Sequence, residues 1–182
     1  EPNQIIWCAR NDGQLAGLTY QREQQVVAWH RHIFGGSFGS GNAVCDSVAT
    51  IPTDDSEYQT WVIVKRTING ATKRYIEYIH EYDFDETDDT SFNFLDSQLS
   101  YDGSAASTIS GLAHLEGQTV SILANGAAHP NKVVSSGEVI LERSATKVKI
   151  GLPYTSLLQT MRIDAGSQNG TSQSKTKRIY DI

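Results

Sequence analysis

The stretch VKRTINGATKRYIEYI, from Val64 to Ile79, restricts the possible folds more than any other part of this chain. Polar and apolar residues alternate on both sides of Asn69-Gly70. A period of two is typical of a strand with one buried face, and Asn-Gly supplies the positive φ angles of a two-residue hairpin turn. The stretch therefore predicts a β-hairpin. Its charged side chains are expected to form cross-strand pairs on an exposed face: Lys65, Lys73, Arg74 and Glu77.

Similar alternation and turn signals recur along the chain, whereas helical periodicity is nearly absent. Turn signals at intervals of about 8–12 residues are typical of all-β sandwiches, barrels and propellers. Asp12-Gly13 predicts a tight two-residue turn between QIIWCAR and QLAGLTYQ, and QQVVAWHRH follows as the third strand of an antiparallel meander. A related pattern in residues 44–80 indicates propeller-blade-like sheets within residues 1–94.

A second unit is expected in residues 95–160, where short apolar segments alternate with turns such as Asn125-Gly126. Strands this short, joined by tight turns, are typical of a small β-barrel. The predicted strands are Gln118–Ala124, Asn131–Val134, Glu138–Leu141 and Lys147–Ile150. Residues 161–182 are expected to form a polar loop and a returning strand.

The net charge of −6 argues against a dedicated nucleic-acid-binding domain, because such domains usually carry a basic stripe. No apolar run approaches the roughly 18 residues of a membrane helix, so no membrane span is expected. The chain begins with Glu1, and its single methionine is Met161. We therefore expect it to be a processed or excised part of a longer protein.

Two histidines and two cysteines are the first candidates for metal or redox chemistry. His30 and His32 lie two residues apart on a predicted strand, so both project from one face, opposite Trp29. With a third ligand such a pair could hold zinc, and the alternative is a hydrogen-bonded polar pair at a sheet edge. Cys8 and Cys45 match no CxxC pattern and are interpreted as small buried core residues.

The acidic run EYDFDETDD places several carboxylates in one predicted loop, as a calcium site requires. The candidate ligands are Asp83, Asp85 and Asp88. The central glycine of an EF-hand-like loop is missing, so a solvated acidic loop is the alternative. No serine lies in a G-x-S-x-G elbow, and GGSFGSGN lacks the Lys-Ser/Thr of a phosphate-binding loop. The sequence therefore predicts neither an enzyme nor a resident cofactor.

Aromatic residues alternate with polar residues along several predicted strands. Trp29, Trp61 and Tyr75 have the flat rings that stack on sugars. Large aromatic side chains also form the buried faces that hold sheets together, and this second interpretation is favoured.

The segments DGQLAGLTYQREQQVVAWHRH, SVATIP, WVIVKRTINGATKRYIEYI, ISGLAHLEGQTVSILANGAAHP and GEVILERSATKVKIGLPY carry a family resemblance. In this order, from about Trp7 to Tyr154, the chain resembles structural proteins of tailed bacteriophages and prophages. Residues 112–154 are similar to the FCCH domain, a small barrel found in ubiquitin-activating enzymes. More distantly, the arrangement is similar to the tail nozzle proteins of short-tailed phages, which are several times longer.

The resemblance implies a virion protein located in the phage tail, without catalytic residues. Its partners would be copies of itself and other tail proteins, which line or surround a channel for transient DNA passage. An acidic surface suits such a channel, because it repels phosphate. The implied architectural residues are turn and strand-end positions: Gly13, Gly70, Gly111, Gly126, Gly151 and Pro153. The alternative is a receptor-recognition module that binds a glycan of the host surface through Trp29, Trp61 and Tyr75.

Overall fold

A computed structural model describes residues 5–53, 58–80 and 92–159. The protein is all-β. In this part of the chain the regular elements are strands, apart from one 3-10 turn at Ala113–Leu115, and every strand pair is antiparallel. The predicted fold class is therefore confirmed. Across the same residues, no helix is long and apolar enough to cross a membrane.

The first sheet is the meander predicted from its alternation. It contains β1 (Ile5–Ala9), β2 (Leu15–Gln21) and β3 (Val26–His32) in the order β1-β2-β3. Because side chains alternate between faces, Leu15 and the residues in phase with it point towards the interior, while the intervening residues point outwards. The sheet thus has one covered and one exposed face.

A second meander follows a two-stranded ribbon of β4 (Ser37–Phe38) and β5 (Gly41–Asn42). It contains β6 (Val44–Pro52), β7 (Tyr58–Ile68) and β8 (Ala71–Ile79), which follow one another in the sheet in the order β6-β7-β8. The two meanders share a small core, in which Leu15 of the first sheet packs with Val62 and Val64 of the second. A backbone hydrogen bond from the Cys45 N–H to the Gly13 carbonyl, at 2.8 Å, also joins the two meanders.

The third sheet corrects the prediction of a small closed barrel. Its strands are β9 (Asp96–Ser110), β10 (Thr119–Ala124), β11 (Ala127–Val133) and β12 (Glu138–Leu152), in the order β11-β10-β12-β9. β9 and β11 are the two edges of an open sheet. The described residues therefore contain an open sheet where residues 95–160 were expected to close into a barrel.

The reason lies in β9 and β12. The predicted strands Glu138–Leu141 and Lys147–Ile150 are the two ends of β12, which continues between them and pairs with β9 through several register shifts. Such irregularities bend a strand without ending it. The bent pair encloses the larger of the two hydrophobic clusters in the described residues, which includes Leu112, Val120 and Ile150.

The turns follow the predicted dipeptides with two exceptions. Asn69-Gly70 and Asn125-Gly126 join directly paired strands, and all four residues have positive φ, as a type I′ turn requires. At Asp12-Gly13 the Gly13 N–H donates to the Arg10 carbonyl, and Gly13 has a φ of +85°. This geometry corresponds to a three-residue loop with a glycine bulge, so the predicted two-residue turn is wrong.

Gly151 is the second exception. It lies inside β12, where an added Cβ would approach the Asp96 carbonyl to 2.7 Å. Gly151 therefore permits close packing of two strands, and it does not form the turn that was predicted. Gly111 does lie at a strand end, with a φ of +91° directly after β9, and Pro153 follows the end of β12. The boundaries 1–94, 95–160 and 161–182 stay predictions, and 161–182 lies outside the described residues.

Candidate functional site

Trp29 lies on the outward face of the first sheet. Ile6 pairs with Leu18 and Leu18 with Trp29, so the three side chains form one row, with Tyr20 and Val27 in the next. Trp29 is 65% exposed and Val27 63% exposed. The expectation that the aromatic residues form buried faces is therefore wrong for Trp29. We call these residues the Trp29 face: Ile6, Leu18, Tyr20, Val27 and Trp29.

The second sheet carries a similar surface on its own outward side. Trp61 pairs with Tyr78, and their ring centroids are 5.4 Å apart. The next row joins Ile63 to Ile76, which is 72% exposed. We call this surface the Tyr78 face, and its residues are Ile51, Trp61, Ile63, Ile76 and Tyr78.

Tyr75 does not belong to either surface. It pairs with the buried Val64 on the inward side of the second sheet, and its ring contacts His114 with a centroid distance of 6.3 Å. Partial burial raises the pKa of the Tyr75 hydroxyl above its ordinary value. The three predicted sugar-stacking residues therefore occupy three separate surfaces and do not form one platform.

The charged residues of the quoted hairpin are divided between its two faces, which corrects the prediction of one wet face. Lys65 pairs directly with Arg74, and Arg66 with Lys73, so each pair joins like charges. Like charges in directly opposed positions are destabilising. On the outward side, Asp46 resolves this conflict, because its carboxylate binds Lys65 at 3.0 Å and Arg74 at 2.7 Å.

These bonds also set the protonation of Asp46. The hydrogen bond from Arg74 and then that from Lys65 lower the pKa of the Asp46 carboxyl below its ordinary value. The carboxylate is therefore ionised at neutral pH. It closes one end of the Tyr78 face with a group of paired charges.

Arg66 is a buried, charged residue that was not among the predicted site residues. Its side chain is fully buried, its Nε donates to the Gly35 carbonyl at 2.8 Å, and both terminal nitrogens donate to the Glu77 carboxylate. A signal was present, because Arg66 alternates in phase with Val62, Val64 and Ile68 on the covered side of β7. Glu77 therefore lies on the inward face, contrary to the prediction.

Asp96 completes this network from the third sheet. Its carboxylate accepts a hydrogen bond from the Gly35 N–H at 2.6 Å, so Gly35 is held by Arg66 on one side and Asp96 on the other. Burial is the main influence on Asp96 and raises its pKa, while the Gly35 N–H and the Arg66 charge oppose that rise. The network joins the second sheet, the connector after β3 and the third sheet.

His30 and His32 share one face of the first sheet, as predicted, and this is the inward side, with His30 Nδ1 2.7 Å from His32 Nε2. Trp7 contacts both rings, and Thr19 Oγ1 is 3.2 Å from His30 Nε2. Burial, and then the neighbouring His30, lower the pKa of His32. Within the described ranges, no group of three or more His, Cys, Asp or Glu side chains is arranged to hold a metal ion.

The remaining candidates are dispersed. Cys45 is buried as predicted, and burial raises the pKa of its thiol, whereas Cys8 is exposed, so that part of the prediction is wrong. Cys8 points outwards because it is in phase with Ile6 of the Trp29 face. The candidate calcium ligands lie outside the described residues: Asp83, Asp85 and Asp88.

Two surface pockets line the third sheet. One, of about 200 Å³, is mainly apolar and includes Phe94 and Ile122. The other, of about 260 Å³, contains His129 and Ser144, a residue pair that could in principle supply a base and a nucleophile. Both His129 ring nitrogens are instead hydrogen-bonded to main-chain groups, at 2.8 and 3.0 Å. This pocket therefore presents no assembled nucleophile and base.

Comparison with models of known protein families and with curated proteins found no match for this chain. The resemblance to bacteriophage tail proteins therefore stays a prediction.

Proposed function

We propose that the protein is a structural component of a bacteriophage tail. It acts through contacts with copies of itself and with other tail proteins, and it lines or surrounds the channel through which DNA passes. The observation that carries this proposal is the presence of an exposed apolar face on each three-stranded sheet. Contiguous exposed apolar surface marks interaction sites in soluble proteins.

The chemistry of these faces favours protein contacts over sugar contacts. A sugar site combines an aromatic ring with polar groups that bond to hydroxyls. Around Trp29 the neighbours in its own row and in the next are mainly apolar, namely Leu18, Ile6 and Val27, and the polar Arg31 lies in the row on the other side. Flat apolar surfaces with aromatic residues are typical of the centre of a protein–protein interface.

The experiment is to locate the protein in phage particles. Particles are purified from the virus or lysogen that encodes the chain, and their proteins are identified by mass spectrometry. Antibodies against the chain are then applied for immunogold microscopy. We expect the chain in the particle proteome at a fixed ratio to other tail proteins, with label on the tail. Its absence from purified particles would refute the proposal.

The second candidate is a glycan-binding module for host attachment, and the exposure of Trp29 favours it. In this case, the protein should bind a defined set of bacterial surface glycans on an array, and Trp29→Ala should abolish that binding. A chelator in a parallel array tests the proposed calcium loop at Asp83, Asp85 and Asp88. No binding across the array would remove this candidate.

A further inference from the structure

We infer that the Trp29 face of one copy packs against the Tyr78 face of a second copy. The inference rests on the proposed structural role and names the surfaces and the partner through which it operates. It concerns the sides of the two meanders that point away from their shared core. Each of these sides is apolar at its centre.

The two faces carry the same pattern of side chains. On β3 the exposed Val27 is followed two positions later by Trp29, and on β8 the exposed Ile76 is followed two positions later by Tyr78. Residues two apart on a strand lie about 6.6–6.8 Å apart on one face. The two edge strands therefore present an aliphatic and an aromatic group at the same spacing. When two such faces oppose each other, the aromatic ring of each can lie over the aliphatic group of the other.

The size of the faces indicates why one copy would use both. A fully covered aromatic side chain buries about 150–250 Å² and an aliphatic one less, so five partly exposed residues offer on the order of 400 Å² per face. A stable interface buries about 800 Å² on each partner. A contact between one face of each copy therefore buries roughly half of that area per partner, whereas a copy inside a larger assembly buries both of its faces, in two separate contacts.

Both faces are used by a single type of contact when the Trp29 face of one copy packs on the Tyr78 face of the next copy. Such a contact is heterologous, so it propagates from copy to copy until it closes into a ring or continues as a filament. Because each individual contact is small, association of two copies is expected to be weak. Assemblies in which every copy uses both faces should be much more stable.

The test uses two blocking variants of the whole chain. Trp29→Arg places a charge on one face and Ile76→Arg on the other, and both positions are exposed, so folding should be retained, as checked by circular dichroism. Ile140→Arg is the matched control, because Ile140 is an apolar strand residue with 64% exposure on the third sheet. Sedimentation velocity is measured over a wide range of concentrations.

We expect concentration-dependent assembly of the wild-type chain and of Ile140→Arg, and a monomer for each blocking variant alone. An equal mixture of Trp29→Arg and Ile76→Arg should form a dimer and stop there, since each variant keeps the face that the other has lost. If one blocking variant is monomeric alone while the other still assembles alone, contact between identical faces is indicated and the inference is overturned. Wild-type-like assembly of both variants would also overturn it.

Cys8 provides a native probe of the same surface, because it is exposed on the outward side of the first sheet. Its alkylation by a maleimide should slow when the wild-type chain assembles, and Trp29→Arg should remove this protection. A wild-type chain that is monomeric at all concentrations, with Cys8 either accessible or shielded, would refute the inference. In the shielded case, another part of the chain covers the face.

These results are separable from the proposed function. Association of the protein with phage particles, combined with blocking variants that assemble normally, would refute the packing of these faces and leave the structural role intact. Assembly through the two faces, combined with absence from particles, would refute the tail assignment alone.

Discussion

The two meanders and the third sheet use their apolar residues in different ways. In the third sheet, twelve described residues form one buried cluster enclosed by β9 to β12. The meanders bury five residues in their shared cluster, although they contain more strands. Much of their remaining apolar surface is exposed, including Trp29 and Ile76. The third sheet thus completes its own core, whereas the meanders direct apolar residues outwards.

This difference shows that alternation alone does not decide which side of a sheet is the core. In the first sheet both sides are apolar, since Trp7 and Leu15 point inwards while Leu18 and Trp29 point outwards. A sheet with two apolar sides needs a cover on each. The third sheet provides such a cover for itself by bending β9 and β12 around its core. The meanders depend on contacts outside their own sheets, among them the network around Arg66.

The largest expected effect comes from removing Arg66, on whose network the meanders depend. Arg66→Ala should destabilise the protein by about 3–5 kcal/mol, because it leaves the largely buried Glu77 carboxylate without its partner. The loss should be concentrated in the meanders. Hydrogen exchange followed by mass spectrometry should show faster exchange in β1–β8, with β9–β12 still protected.

Arg74→Ala is the control for this prediction, since Arg74 is an ion-paired arginine on the same hairpin but is exposed. Its loss should change the free energy of unfolding by about 0–1 kcal/mol. The double variant Arg66→Met/Glu77→Leu should recover most of the stability lost in Arg66→Ala, because it removes both charges. Equal effects of the two single arginine substitutions in urea unfolding would contradict the role given to Arg66.

The parts of the fold that are determined locally could be predicted from the sequence. Asn69-Gly70 fixes its hairpin because those two residues readily adopt the positive φ angles that the turn needs. β9 was missed, because SYDGSAASTIS lacks large alternating residues and forms a strand by pairing with β12. The bend within β12 was misread as a break for a similar reason. Its continuity depends on a partner distant in sequence.

The candidate site shows the same division. The placement of Trp29 on the face opposite His30 and His32 followed from alternation and is confirmed, but the exposure of Trp29 depends on what the rest of the chain covers. The burial of Arg66 could have been predicted, because it alternates in phase with the buried residues of β7. Asp96 gave no local signal, because its partner Gly35 is 61 residues away in the sequence. Contacts of this kind become visible only in three dimensions.

A second prediction compares the two cores directly. Leu15 and Leu115 are both fully buried, one in the small cluster of the meanders and one in the large cluster of the third sheet. Replacement of leucine by alanine in a core destabilises by about 2–5 kcal/mol, and less where the surroundings can collapse into the cavity. We expect Leu115→Ala near the upper end and Leu15→Ala near the lower end. Urea unfolding of both variants measures the difference, and the reverse order would contradict the comparison.

A third prediction compares two equivalent turns, one in each region. The Asn125 Oδ1 accepts hydrogen bonds from the Thr146 N–H at 3.1 Å and the Lys147 N–H at 3.0 Å, which holds the turn against the irregular part of β12. Asn125→Gly keeps the positive φ accessible but removes these bonds, so it should destabilise by about 1–2 kcal/mol. Among the described residues the Asn69 side chain makes no such bonds, so the matched substitution Asn69→Gly should change the free energy of unfolding by less than about 1 kcal/mol, the entropic effect of an added glycine. Equal effects in thermal unfolding would show that the side chain of Asn125 contributes nothing to the bend.

The smallest expected effect is a difference in pH dependence between the junction and the outer surface. Asp96 has a raised pKa, chiefly because it is buried, and Asp46 has a lowered pKa, chiefly because Arg74 binds it. A raised pKa favours the folded state below the ordinary value of 3.8, and this contribution is lost as the pH rises through the folded pKa. For Asp46 the contribution is present above 3.8 and is lost as the pH falls. The two carboxylates therefore act with opposite sign.

The variants Asp96→Asn and Asp46→Asn separate these contributions, since asparagine keeps an acceptor oxygen but does not titrate. The free energy of unfolding is measured in urea at a series of pH values from 3 to 7 for the wild type and both variants. The stability of the wild type relative to Asp96→Asn should decrease as the pH rises above about 4, because the buried carboxyl group loses its proton. Its stability relative to Asp46→Asn should increase over the acidic range. The expected difference comes from the contacts of the two carboxylates: Asp96 accepts one hydrogen bond from Gly35, whereas Asp46 binds two cationic side chains. Parallel curves for the two variants would contradict the opposite signs assigned to Asp96 and Asp46.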